Sequence, residues 1–158
     1  MKSHSPVSAD DYLAIQRFLG GAADAVTRRD FDKFASCWAQ DGVWNVGLNR
    51  GSFEGRASIV ENMRTIMAGI EAIVQTVENG DAWYAEGGTD VVHSRFYVTE
   101  LVRRPSGETM LLRFFYADRL VRDGVGWLFS ERVLNPLYVG PYDLSGPFQS
   151  ATAQYADL

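Results

Sequence analysis

Apolar residues in the first part of the chain recur at helical spacing, and in the remainder they alternate with a period of two. Ser8, with Asp11 three residues on, forms the opening of a helix whose inner face carries Ile15, Leu19, Ala22, Ala23 and Val26 as far as about Arg29. Asp30 is placed to cap a second, shorter helix that buries Phe31, Phe34, Ala35 and Trp38 and stops before Asp41-Gly42. The two form an N-terminal helical hairpin. Val43, Trp44 and Val46 read as a strand, and the turn Gly51-Ser-Phe-Glu-Gly55 leads into a third helix with Ile59, Met63, Ile66, Met67 and Ile70 on one face.

Beyond that helix the pattern predicts strands at Ile70–Glu78, Ala82–Glu86, Thr89–Arg103, Glu108–Arg122 and Gly126–Val133, separated by Asn79-Gly80-Asp81, Gly87-Gly88, Pro105-Ser106-Gly107 and Asp123-Gly124. Helices first and antiparallel strands afterwards is an α+β order, with three helices covering one face of a curved sheet. The long hairpin around Pro105-Ser106-Gly107 has a definite register if that loop has three residues, because Arg104 then faces Glu108. Its odd positions carry Val91, His93, Arg95, Tyr97, Thr99, Arg113, Phe115 and Arg119. Its even positions carry Val92, Ser94, Phe96, Val98, Leu112, Phe114, Tyr116 and Asp118. The even face is the more apolar, so the pattern turns it to the core.

Composition narrows the class. The chain has 158 residues and 46% hydrophobic content, enough for one domain with a sizeable core. A net charge of -5 with scattered Lys and Arg argues against nucleic acid. The single Cys37 excludes an intrachain disulfide and a multi-cysteine zinc site, and suits the cytoplasm. The start has no apolar signal segment, and no run is long enough to span a membrane. An aromatic share of 13%, with four Trp, suits either a large core or an apolar cavity. Metal-ligand spacings and Gly-rich nucleotide signatures are missing, so neither metal nor cofactor is expected.

The element order, the stretch Phe31-Asp-Lys-Phe-Ala-Ser-Cys-Trp-Ala-Gln-Asp-Gly-Val-Trp44, the Gly51-x-x-x-Gly-Arg56 turn and the closing Arg122-Asp-Gly-Val-Gly-Trp127 resemble the SnoaL-like branch of the NTF2-like superfamily over roughly residues 9–140. The resemblance implies a cone-shaped α+β barrel, a curved, mostly antiparallel sheet wrapped round a long helix to enclose an apolar pocket. Members include polyketide cyclases, scytalone-type dehydratases, a dehydrochlorinase, epoxide hydrolases, ketosteroid isomerase and non-catalytic binding modules, so fold alone does not settle function.

In the dehydrochlorinase pattern an Asp at the end of the first helix orients a His on the first strand after the third helix. Those positions hold Thr27 and Gln75 here, and neither side chain titrates near neutral pH. By the same overlay His93 falls on a pocket position, where its imidazole would exchange protons easily, and Arg132 matches a pocket arginine able to hold an oxyanion. The alternative for Arg132 is a surface salt bridge with Glu131 or Asp118. The overlay sends the odd face inward, against the pattern, and both hold together only if the even face is buried between subunits.

The implied reading is a single domain over 1–158, with a C-terminal strap over the pocket mouth or a neighbouring subunit from Asn135 to Gly146. Its expected function is a cofactor-independent lyase or isomerase for a hydrophobic, aromatic or polycyclic small molecule, working as a homodimer or homotrimer. His93 and Arg132 are the expected catalytic residues, with Thr27, Gln75, Tyr97, Phe115, Leu19, Trp38 and Leu134 in contact with substrate. A non-catalytic ligand-binding module and a small structural subunit of a ring-hydroxylating dioxygenase are the alternatives.

Overall fold

The computed structural model describes residues 5–149, so His4 and the last nine residues lie outside the described part. Three helices, α1 (Ala9–Arg28), α2 (Phe31–Ser36) and α3 (Arg56–Ala68), pack on one seven-stranded sheet. The strands are β1 (Ser5–Pro6), β2 (Trp38–Asn45), β3 (Ser52–Glu54), β4 (Ala72–Tyr84), β5 (Val91–Arg103), β6 (Thr109–Asp123) and β7 (Gly126–Gly140). Their order is β1-β4-β5-β6-β7-β2-β3, an α+β arrangement with a curved sheet that does not close on itself. Among the described residues only the β2–β7 pair is parallel. Among the described residues no helix is long and apolar enough to cross a membrane.

Local chemistry sets the helix ends. The Ser8 hydroxyl accepts from the Asp11 amide, and Asp11 and its neighbour Asp10 put negative charge on the first turn of α1. Arg29 ends the helix in the left-handed conformation, and its guanidinium donates to the Met67 and Ile70 carbonyls. One side chain thereby joins the C-terminal ends of α1 and α3. At the other end of α1, Asp11 accepts from Arg122 of β6 and from the Tyr84 hydroxyl of β4. The Arg122 guanidinium, whose hydrogen bonds to Asp11 are the main cause, holds that carboxyl below the usual range.

The hairpin β5–β6 has the predicted register, Arg104 amide donating to the Glu108 carbonyl and Val98 opposite Phe114. Its even residues point inward: Val92, Phe96, Val98, Val102, Leu112, Phe114, Tyr116 and Leu120 join Ile15, Leu19, Ala22 and Val26 of α1 in one core. The chain's own helices cover this face, so no second subunit is needed to bury it. The expectation that the odd face lines a cavity is corrected by the same register, because His93, Arg95, Tyr97 and Phe115 lie on the outer side of the sheet.

Several elements differ from the pattern, and β3 lies inside the stretch 51–55 read as a turn. Trp38 opens β2 rather than closing the second helix. Asn79-Gly80-Asp81 is an irregularity inside one continuous strand rather than a turn. A Cβ on Gly80 would stand 2.3 Å from the Arg95 carbonyl oxygen, so only glycine lets the two strands approach there. Pro136 does not end β7. It sits where the β6–β7 register slips, which spares the ladder a missing donor. Residues 141–149 fold back on Tyr138, where Phe148 forms a bridge and a ring contact at 4.8 Å.

Leu19 is 1% exposed at the centre of this core. Leu19→Ala should cost about 2–5 kcal/mol in urea denaturation, as large-to-small core changes do. A loss under about 0.5 kcal/mol would show that this face of α1 is not packed as described.

Candidate functional site

Between α3, the inner faces of β4, β5 and β6, and the turn after β2 lies a cavity of about 310 Å³. Met63, Ile66, Met67, Ile73, Val102 and Leu112 make most of its wall apolar. Four polar groups interrupt it: Gln75, Glu100, Tyr116 and the indole of Trp44. Arg50 and Arg104, both exposed, mark its opening.

Strand register brings Gln75 and Glu100 together. They are cross-strand partners on the inner face of β4 and β5, and the Gln75 amide Nε2 donates to Glu100 Oε1 at 2.5 Å. The Gln75 backbone amide donates to Thr27 Oγ1 at 3.0 Å, which ties β4 to the end of α1. Burial pushes the Glu100 carboxyl above the usual range, with the Gln75 hydrogen bond and the charge of Arg50 opposing it. Such a group keeps its proton at higher pH than a surface glutamate. Burial also pushes the Tyr116 phenol well up, against Arg132 and a neighbouring Trp44 N–H, so the phenol stays protonated and able to donate. The Trp44 N–H is buried without a hydrogen-bond acceptor among the described residues.

Behind this wall lies an ion pair. Asp118 and Arg132 are cross-strand neighbours on β6 and β7, and the guanidinium donates to both carboxylate oxygens at 2.7 and 2.8 Å. The Asp118 side chain is 0% exposed and that of Arg132 is 8% exposed. The Arg132 guanidinium also lies 3.7 Å from the Tyr116 ring centre and 3.8 Å from that of Phe129. Burial alone would lower the arginine's pKa, but the Asp118 charge and hydrogen bonds outweigh it and hold the pKa up. Arg132 thus meets Asp118, one of the two partners its sequence suggested, but in the interior rather than at the surface.

Of the sequence-predicted site residues, Gln75 and Leu134 line the cavity. Thr27 supports Gln75 from one layer back. Leu19 and Trp38 are core residues outside the lining. His93 does not reach the cavity. It stacks against Trp83 on the outer face of the sheet, with ring centres 6.4 Å apart. Tyr97 and Phe115 meet edge to face on that same outer side, with ring centres 6.2 Å apart. Glu100 was missed by the sequence reading. Its signal was present: the inward alternation Val92, Ser94, Phe96, Val98 continues to 100, where an acidic residue interrupts an apolar row before Val102. Among the described residues no three His, Cys, Asp or Glu side chains gather as a metal-binding group.

Two measurements test these buried groups. Because the folded state binds the Glu100 proton more tightly than the unfolded chain, stability linked to Glu100 is present at low pH and lost as pH rises through its folded pKa. Glu100→Gln removes that loss, so the melting temperature of the variant minus that of the wild type should grow as the pH rises above the ordinary glutamate range. A constant difference would show that Glu100 titrates normally. Asp118→Asn strands a buried guanidinium and should cost about 3–5 kcal/mol in urea denaturation.

Among solved structures, the chain is similar to a type 2 hexachlorocyclohexane dehydrochlorinase, LinA, with 19% identity over 89% of this chain and 93% of that one and a TM-score of 0.76. It is also similar to a Novosphingobium aromaticivorans protein provisionally described as a scytalone dehydratase, with 15% identity, the same coverages and a TM-score of 0.77. A second protein of that organism, provisionally described as an aromatic ring hydroxylase, shares 23% identity over 85% of this chain and 94% of its own, with a TM-score of 0.78. At such identities the likeness is one of fold. No curated protein matches the chain. The SnoaL-like domain family matches residues 7–133, most of the molecule, and the chain belongs to that family.

Proposed function

We propose that the protein is a lyase or isomerase acting on a hydrophobic small molecule in this cavity, with Glu100 as the group that takes and returns a proton. The observation that carries the reading is a carboxyl group in a mostly apolar wall, hydrogen-bonded by Gln75 and raised by burial above the usual carboxylate range. The dehydrochlorinase and dehydratase named among the structural relatives fit this reaction class.

The chemistry balances without an external oxidant or reductant. In an elimination the carboxylate removes a proton from carbon, the released electron pair forms the double bond, and the leaving group departs with its own pair. Where that group is hydroxide, the new carboxylic acid returns the proton to it as water. In an isomerisation the same proton is delivered to another carbon. The Trp44 N–H and the Tyr116 hydroxyl are donors in the same wall, suited to an oxygen that gains negative charge as the proton leaves carbon. Arg132 acts from behind Tyr116, its charge against the phenol ring, and Asp118 holds it there. The proton-transfer role assigned to His93 from sequence passes to Glu100.

One observation favours a second reading, a non-catalytic binding module. Thr27 and Gln75, at the positions of the dehydrochlorinase dyad, meet through a backbone amide and a hydroxyl, a contact that moves no proton.

The experiment is hydrogen–deuterium exchange and turnover across a panel of aromatic ketones and polyketide-like compounds, followed by NMR. Glu100→Gln should lower the rate on any true substrate by roughly 10²–10⁴-fold, with a much smaller effect on binding. Full activity in that variant would remove Glu100 from the mechanism. Tight binding with neither exchange nor turnover across the panel would favour the binding module.

A further inference from the structure

The turn at the cavity opening is built to present one arginine. Residues 46–51 are closed by the Val46 amide donating to the Gly51 carbonyl and the Arg50 amide donating to the Gly47 carbonyl. Four of its residues, Gly47, Leu48, Asn49 and Gly51, have positive φ. A Cβ on Gly47 would stand 2.5 Å from the Leu134 carbonyl oxygen, so the turn is pressed against β7 and its backbone path is held. Two non-glycine residues in the left-handed region make this a costly conformation, which the contact with β7 supports.

Arg50, at the exposed end of this turn, lines the cavity. No carboxylate lies within salt-bridge distance of it among the described residues, whereas Arg104 across the opening is paired with Glu108 at 3.2 Å. The acidic group whose pKa Arg50's charge lowers is Glu100, inside the cavity. The result is a mostly apolar chamber with a guanidinium at its rim that makes no salt bridge among the described residues.

We propose that the cavity takes an amphipathic acid, whose apolar body fills the chamber and whose carboxylate pairs with Arg50 at the opening. The proposal rests on reading the cavity as the ligand site and adds the ligand's charge and orientation. A guanidinium suits this role because its planar fork meets both carboxylate oxygens, and a position at the rim leaves the acid partly hydrated, which limits the desolvation cost. The ligand's anionic end then stays at the opening while its apolar end lies beside Met63, Met67 and Leu112.

The test is calorimetric titration of the whole protein with 2-naphthoate and with its neutral counterpart 2-naphthalenemethanol, at low salt and a pH where the acid is ionised. The wild type should bind the naphthoate roughly ten-fold more tightly than the alcohol, and added salt should shrink that preference. Arg50→Gln should bind the two within about two- to three-fold of each other, and Arg50→Lys should keep part of the preference. Because Arg50 is exposed, the variant should melt with the wild type, which separates lost recognition from lost folding. Equal binding of the two compounds, binding of neither, or an Arg50→Gln variant that keeps the preference would each overturn the proposal. Preference for the acid without any turnover would leave it standing while removing the catalytic reading, and turnover of neutral compounds alone would do the reverse.

Discussion

The sheet can bury only one of its faces against the helices, and the rest of the molecule is organised by that constraint. Successive residues of a strand point to opposite sides, so once Val92, Phe96 and Val98 face α1, the whole of β5 and its partners follow. Gln75, Glu100 and Leu112 then stand in line on three neighbouring strands inside the cavity. A slip of one residue would bring His93 and Arg95 inward and expel Glu100. The three-residue loop at Pro105-Ser106-Gly107 and the bulge at Gly80 hold the register against that slip.

The interior handles Asp118 and Glu100 in different ways. Asp118 is met by both arms of the Arg132 fork, and the two aromatic rings against that guanidinium keep water away while tolerating its charge. That pair is complete and has nothing left to give a ligand. Glu100 receives one hydrogen bond from a neutral amide and a weaker influence from Arg50, and part of its surface faces open space. A carboxyl so incompletely satisfied carries a free-energy penalty, and natural sequences keep such penalties mostly where chemistry or binding uses them. The same holds for the Trp44 N–H, a donor without an acceptor in the same wall.

The positions of the absent dyad also remain together in space. Thr27 lies at the end of α1 and Gln75 on the first strand after α3, joined by a hydrogen bond. That contact braces the strand that presents Gln75 to Glu100.

The inner faces of α1 and α3 and the hairpin register were legible in the sequence, because each depends on local periodicity and on turn residues such as Pro105-Ser106-Gly107. The even-face pattern of β5 and β6 was a better guide to the interior than the overlay on a distant family member. Pattern reports which side must leave water, whereas correspondence of single positions at low identity is lost with one shift of register. Glu100 was legible only as an anomaly in an apolar row. Its role depended on Gln75 arriving opposite it from 25 residues away, and on Arg50 being held at the rim by a turn pressed against Leu134. No local rule contains those distances. Tertiary packing alone decides which of the chain's many charged side chains are left facing a cavity instead of a partner or the solvent, because that depends on contacts between segments that the sequence separates.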